Sequence, residues 1–356
     1  MRTFFICFSL KNSSVAEFFI TLSNKLVRDA RVIIISYDDH PHPFEIRPEI
    51  TVLNWPSGRP TKWKDFIFLA DLIRKEKPDT IISNFGAVNL CLLAGYLLRV
   101  KNRIAWYHTH SSAHSQEKKI LNIRKSLIYR LSTLMITNSM AAKSDLIKHY
   151  GVPEDRIEVF PNAVHIPSLL TKCKVNNHKI VYAGRLHPVK GLKVLLEALP
   201  RVISNYPDTE VLIFGGNPGS EEILAYKNMA RKLGVEGNLA FKGFASRENV
   251  LRALAEAYVC VVPSFFEAFC YVVIESFAVS TPVIGSNTTG IAEIIRNGED
   301  GYLFETGNSL ELSHCICQIF SDKQKRNEMA QNAHQHFLEN YELSNVVNNL
   351  TRRLNA

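Results

Sequence analysis

The sequence predicts two doubly wound α/β domains, and three observations support that expectation. The chain of 356 residues is too long for one ordinary core and suggests two domains of roughly 150–180 residues each. Short, continuously apolar runs rich in β-branched and aromatic residues alternate with helical stretches, as parallel strands covered on both faces require. A polar segment, SLLTKCKVNNHK at 168–179, separates two such series. The expected boundaries follow: a first domain over 1–167, a linker over 168–179, a second domain over 180–335 and a last helix over 336–356.

In the first series the expected strands are TFFICFS, RVIIISY, DTIISNF, RIAWYHT, TLMITNS and RIEVFPNAV. In the second they are HKIVYAGRL, TEVLIFGG, LAFKGF, YVCVVPS and TPVIGS, and from about Leu310 the chain reads as helical throughout. Ligands of such sheets bind beyond the carboxyl ends of strands, where loops lead into helix N-termini. Two domains of this kind, set face to face, place the natural site in the cleft between them.

Composition excludes several classes. With 46% hydrophobic and 21% charged residues the chain is an ordinary globular one, neither disordered nor fibrous. No apolar run reaches the roughly 18–20 residues of a membrane span. The opening MRTFFICFSL has no small-residue cleavage site and reads as a first strand. Seven scattered cysteines without C-x-x-C spacing point to free thiols in a reducing cytoplasm. Trp55, Trp63 and Trp106 read as core or cleft residues.

The charge is one-sided. Residues 1–170 carry 23 Lys and Arg against 15 Asp and Glu, whereas residues 171–356 carry 19 of each, so the whole net charge of +8 lies on the first half. A basic surface of this kind attracts phosphates of nucleic acid or of an anionic membrane. The densest patch spans 117–136, where Lys118, Lys119, Arg124, Lys125 and Arg130 are interleaved with aliphatic residues at helical spacing. One reading is a core-facing amphipathic helix with a solvated back; the other is a helix that also rests on an anionic bilayer. The basic stretches lack interleaved aromatic platforms, which argues against nucleic acid.

Three loops at expected strand ends carry unusual polar residues. In YAGRLHPVKG, Gly184 lets the backbone turn, and Arg185 and Lys190 stand beside a helix N-terminus, an arrangement suited to an anion. In SFFEAFCYVVIESF, two carboxylates, Glu267 and Glu275, sit eight residues apart in an apolar run. A helix starting near Ala268 to Cys270 would space them roughly 12 Å apart along its axis, about the span from hexose to ribose in a nucleotide sugar. Alternatively, Glu267 caps the helix and Glu275 pairs with a buried cation. In GSNTTGIAEII, Thr288, Thr289 and Gly290 read only as a capped helix start.

GRLHPVKG, the Glu267 to Glu275 spacing, STPVIGSNTTGIAEII and NGEDGYLF resemble, in order and spacing, the motifs of glycosyltransferase family 4, and NSMAAKSDLIKHYGVPEDRIEVFPNAV resembles the segment leading out of its first domain. The resemblance covers nearly everything from about Arg103 onward. It implies a GT-B fold: two facing Rossmann-like domains with an inter-domain cleft and a C-terminal helix packing back on the first domain. It implies a retaining enzyme that uses a UDP-sugar, UDP-glucose as the first guess. Arg185 and Lys190 match the pair on the donor diphosphate. Glu267, with the backbone at Ala268, Phe269 and Cys270, matches the contacts to the transferred sugar, and Glu275 matches the ribose contact. Gly243 and Phe244 fall where the family's backbone meets the nucleobase. His108 matches a histidine that approaches the sugar from the first domain.

The chain departs from the family at the loop after the first strand, SLKNSSVAEFF, which has no glycine, leaving Asn12, Ser13 and Ser14 to meet phosphate and acceptor. Ala268, Cys270 and Ala163 also stand where glycines are usual, which tightens the expected donor pocket. No zinc, flavin or nicotinamide signature is present; His110 and His114 lack a carboxylate or cysteine partner, and no metal or other cofactor is expected. The expected protein is a cytoplasmic hexosyltransferase, peripheral at the inner membrane face, acting on a saccharide or lipid-linked saccharide acceptor in cell-surface polysaccharide synthesis. The alternative is a nucleotide-sugar-binding protein without turnover.

Overall fold

Two units divide the chain in the computed structural model, which describes residues 1–36, 43–58, 62–108, 119–166 and 174–355. One unit comprises Met1–Val164 and the chain from Leu343 onward, the other His165–Glu342.

In the first unit the elements run β1 (Thr3–Cys7), α1 (Ser14–Leu26), β2 (Arg31–Ser36), β3 (Thr51–Asn54), α2 (Trp63–Glu76), β4 (Thr80–Asn84), α3 (Val88–Leu97), β5 (Asn102–Tyr107), α4 (Lys119–Tyr129), β6 (Leu134–Thr137), α5 (Met140–Tyr150) and β7 (Ile157–Val159). All seven strands are parallel, in the order β3-β2-β1-β4-β5-β6-β7. Strand alternation sets the layers. Phe4 and Ile6 of β1 pack with Phe18, Phe19 and Leu22 of α1 on one face, while Phe5 and Cys7 pack with Leu69 and Ile73 of α2 and Cys91 of α3 on the other. Each such side chain contributes about 1.5–3 kcal/mol on burial.

The second unit runs β8 (Lys179–Ala183), α6 (Leu192–Asn205), β9 (Glu210–Phe214), α7 (Glu221–Lys232), β10 (Leu239–Gly243), α8 (Arg247–Glu256), β11 (Val259–Val262), α9 (Tyr271–Ala278), β12 (Val283–Ser286), α10 (Thr289–Ala292), β13 (Gly301–Phe304), α11 (Ser309–Ser321) and α12 (Lys323–Asn340). Its six parallel strands follow the order β10-β9-β8-β11-β12-β13. Ile180, Val211, Ile213, Val259 and Val261 meet Leu195, Leu199 and Val202 of α6 in its main core. Side chains preset several helix starts: Ser13, Ser139, Ser220, Ser246 and Asp322 each accept a first-turn backbone N–H.

The last helix, α13 (Leu343–Asn355), returns to the first unit. Leu343, Val346, Val347 and Leu350 join the α1 core, and Arg353 Nη2 bonds Glu158 Oε1 at 2.6 Å. The span expected as one helix, 336–356, is two: the Tyr341 and Glu342 N–H groups both donate to the Phe337 carbonyl and close α12, and Leu343 N–H donates to Val164. Two strands escaped the sequence reading, β3 and β13. Each has four residues and a single neighbour at a sheet edge, so neither needs the long apolar run that marks a central strand. Of the linker expected at 168–179, residues 168–173 lie outside the described residues.

Trp55 and Trp106 are core residues, but Trp63 is 72% exposed, contrary to the expectation for it. Among the described residues no helix is long and apolar enough to cross a membrane, and six cysteines are free.

Candidate functional site

The strand order of the second unit reverses between β8 and β11, and open parallel sheets bind ligands beyond the carboxyl ends of the strands at such a point. The loops after these two strands carry Arg185, Lys190 and Glu267. After β8 the chain passes Gly184 and Arg185, makes one 3-10 turn over Pro188–Lys190, and enters α6 through Gly191 at φ +67°. A Cβ there would stand 1.8 Å from the Pro263 carbonyl oxygen, so only glycine lets this turn lie against the end of β11. Further bonds join the loops: Phe265 N–H donates to the Val189 carbonyl at 2.8 Å, and the Tyr182 hydroxyl lies 3.3 and 3.4 Å from the Arg185 and Lys190 carbonyls. Burial pushes the Tyr182 phenol up, so it remains a neutral donor.

This joining brings Lys190 Nζ to 2.5 Å from Glu267 Oε1, and the Ser264 hydroxyl donates to the same oxygen at 3.0 Å. Both charged side chains are largely buried, and each offsets the desolvation of the other. Gly184, Arg185, Lys190, Glu267, Phe269 and Cys270 line one cavity of about 470 Å³, within the roughly 300–1,000 Å³ usual for a small-molecule site. Arg185 is exposed beside it, with no ion pair among the described residues.

The helix that follows differs from expectation. It begins at Tyr271, with Cys270 at the N-cap and no side-chain hydrogen bond to its first turn. Glu267 lies in the loop before it, so a separation computed from helical rise does not apply, and Glu267 is not its cap. The uncapped start leaves the N-terminal dipole of α9 available to an anion. The Cys270 thiol is buried and pushed up by that burial, so it is a neutral lining group rather than a nucleophile.

Thr288, Thr289 and Gly290 do more than begin α10. Gly290 N–H and the Thr289 hydroxyl donate to the Glu267 carbonyl at 3.0 and 3.1 Å, and the Thr288 hydroxyl donates to Phe265 at 3.2 Å. A Cβ at Gly290 would come within 2.5 Å of the Glu267 carbonyl oxygen and 2.7 Å of the Ala268 carbonyl carbon. The third loop is the splint of the second, and the smallness of Gly290 is its signature in the sequence.

Glu275 does not line the same cavity. It is buried on α9, where Arg247 Nε holds its Oε1 at 2.9 Å. Arg247 opens α8, just after Gly243 and Phe244 at the end of β10, so Glu275 is joined to the loop expected to meet the nucleobase. Gly243 takes φ +68°, and its carbonyl accepts Gly215 N–H at 2.8 Å; Phe244 is 67% exposed. Sequence reasoning missed Tyr182, Ser264 and Arg247. Tyr182 reads as a core strand residue, and Arg247 follows a helix cap, where a cation signals nothing by itself.

The remaining expected residues belong to the first unit. His108 follows β5, its ring stacked between Phe85 and Trp106 at 4.7 and 6.1 Å between centroids. Its Nε2 is buried without a hydrogen-bond partner among the described residues, and burial pushes its pKa down to about 3, so the imidazole is neutral at physiological pH. Asn12 and Ser13 are exposed before α1; the Ser13 hydroxyl caps that helix by accepting Ala16 N–H at 3.2 Å, and Ser14 is its first residue. Ala163 is core. His110, His114 and Lys118 lie outside the described residues.

Two Rossmann-like parallel sheets, one carrying a Lys–Glu pair and an arginine at its switch point, place the chain among doubly wound two-domain α/β proteins. Residues 15–166 match the family model Glycosyltransferase Family 4, and residues 171–336 match Glycosyl transferases group 1. The chain belongs to the family 4 type of glycosyltransferase, of GT-B fold. It is 25% identical over 249 residues to an uncharacterized glycosyltransferase of Methanocaldococcus jannaschii, covering 66% of this chain and 63% of that protein. It is 26% identical over 270 residues to the D-inositol 3-phosphate glycosyltransferase of Corynebacterium efficiens, covering 68% of this chain and 63% of that one. The matched region is thus 63% of either relative's length. Among solved structures, Anabaena HepE in complex with UDP superposes with a TM-score of 0.78 over 100% of both chains at 20% identity.

Proposed function

We propose that the protein transfers a hexose from a UDP-hexose, UDP-glucose first, to a saccharide acceptor with retention of configuration. The observation that carries this reading is the buried Lys190–Glu267 pair beside Arg185 in one cavity at the uncapped start of α9. Arg185, Lys190 and the helix start then receive the diphosphate and stabilise the charge that grows on it as the glycosidic bond breaks. Glu267, already held by Lys190 and Ser264, accepts hydrogen bonds from sugar hydroxyls; a carboxylate so engaged is a poor nucleophile. This favours attack by the acceptor on the face the diphosphate leaves, its proton passing to a phosphate oxygen, over the two-carboxylate route of glycosidases. His108 orients the sugar, Glu275 the ribose, and the backbone at Gly243 and Phe244 the base. No metal enters this scheme. HepE was also solved with UDP-glucose, which supports the choice of donor.

For the acceptor we favour a lipid-linked saccharide of cell-surface polysaccharide synthesis, met at the inner membrane face by the basic first half. A second reading, binding without turnover, is favoured by the glycine-free loop in which the Ser13 hydroxyl serves as a helix cap. Calorimetric titration with UDP, GDP and ADP, then a transfer assay with UDP-glucose over lipid-linked sugars and inositol 3-phosphate, tests both readings. We expect UDP to bind tightest and an α-linked product from the α-donor. Tighter GDP or ADP binding would overturn the donor, an inverted product the mechanism, and UDP binding without transfer to any acceptor would select the second reading.

A further inference from the structure

The face of the first unit formed by α2, α3 and α4 carries another cavity. It has about 390 Å³ and is lined by Trp63, Phe66, Leu90, Leu93 and Ile128, with Asn89 beside them and Lys62 and Arg124 as the charged residues among the described lining. Trp63 and Phe66 stack at 5.1 Å with their rings 14° from parallel, so one wall is a flat aromatic surface. Large apolar side chains also stand exposed on the same three helices: Ile67 on α2, Tyr96 and Leu97 on α3, and Ile123 and Leu127 on α4.

We propose that this groove takes one hydrocarbon chain of an anionic lipid, with Lys62 and Arg124 holding its phosphate. The inference rests on the lipid-borne acceptor proposed above and deepens it, because it names where the lipid is gripped. The occupant follows from charge. A neutral saccharide would find Asn89, Lys62 and Arg124 as hydrogen-bonding side chains among the described lining residues, but it leaves the two positive charges without a counter-charge. A second copy of this chain, docked about a twofold axis, would bring the cations of both copies into one interface, with no carboxylate among the described lining residues to meet them. An amphiphile with an apolar tail and an anionic head meets both parts of the lining. The arrangement also suits the energetics of peripheral attachment: one buried chain holds a protein only marginally, and stable anchoring needs a second signal such as a basic patch. The first half of the chain supplies that patch.

The chain carries its own reporter. It has three tryptophans, and Trp55 and Trp106 are 3% and 4% exposed against 72% for Trp63. Emission from the full chain is therefore titrated with vesicles of phosphatidylglycerol or phosphatidylcholine brominated in their acyl chains, and with monomeric lysophosphatidylglycerol. Brominated anionic vesicles are expected to quench the exposed component, neutral ones not, and the lysolipid to shift it to the blue. Arg124→Gln is expected to weaken the lysolipid about fivefold, the worth of one cation at an anionic surface, and Leu93→Ser to abolish the shift. Leu93→Ser changes the first unit, so the emission of the buried Trp55 and Trp106 and the melting transition it reports should stay at the wild-type value and serve as the folding control.

Sedimentation with anionic vesicles but no quenching, and no lysolipid shift, would overturn the groove while leaving the membrane reading intact. A lysolipid shift without transfer to any lipid-linked acceptor would uphold the groove and overturn the proposed acceptor. Equal quenching by neutral lipid would overturn the role of the cations. A lipid-free dimer that hides Trp63 would assign the groove to a second copy of the chain.

Discussion

Glu267 and Glu275 look alike in the sequence and are held in different ways. Glu267 is paired with a lysine inside the cavity; Glu275 is paired with Arg247 outside it. A buried carboxylate deprived of its partner pays the desolvation cost unrelieved. We therefore expect Arg247→Ala to weaken UDP by about 1–3 kcal/mol, the cost of unpaired buried groups, without a contact of its own to the nucleotide. In a double-mutant cycle with Glu275→Gln the two losses should be markedly less than additive, because both act through one pair. Calorimetry on the four proteins checks this; strict additivity would mean that Arg247 serves Glu275 in no way that binding detects.

Loops following β8, β11 and β12 form the site as a splinted set. Gly191 shows how tightly: its left-handed backbone costs a non-glycine residue roughly 1–2 kcal/mol, before any clash with Pro263. Gly191→Ala should destabilise the second unit by more than that and weaken UDP, since Lys190 is displaced with the turn. Gly237→Ala is the matched control, because a Cβ there meets nothing within 4 Å. Urea midpoints and UDP titration of the two variants separate the outcomes. A neutral Gly191→Ala would show that the loops yield easily and that the close approach to Pro263 is not what orders them. The order of motifs around these loops was legible because each pairs a strand end with a helix start. What the three loops do for one another was not, since bonds such as Gly290 to Glu267 join residues far apart in the chain.

Two units, each with its own buried clusters, mean two places to look for unfolding. All three tryptophans lie in the first unit, whereas the proposed UDP site lies in the second. A ligand stabilises what it binds by mass action, about 2.7 kcal/mol at a hundred times its Kd. Saturating UDP should therefore raise the melting transition seen by far-ultraviolet circular dichroism, which samples both units, more than the one seen by tryptophan fluorescence. Equal shifts would show that the units unfold as one, a shift confined to the tryptophan signal would place UDP on the first unit, and no shift in either would mean that the folded chain does not bind it. The charge division belongs here too, because a net +8 confined to one half is a property no single residue expresses.

By itself the sequence determined the alternation of central strands and helices, the two-part division and the loops that bear charge. These follow from local rules: buried parallel strands must be continuously apolar, and helix starts must be capped or left open. The edge strands β3 and β13, four residues long with one neighbour each, are written too faintly to read. Only the tertiary structure decided that Lys190 neutralises Glu267, that Arg247 takes Glu275, and that Trp63 stands in solvent while Trp55 and Trp106 are buried. Pairing and exposure depend on what the fold brings across from other strands and helices, and no spacing along the chain carries that information.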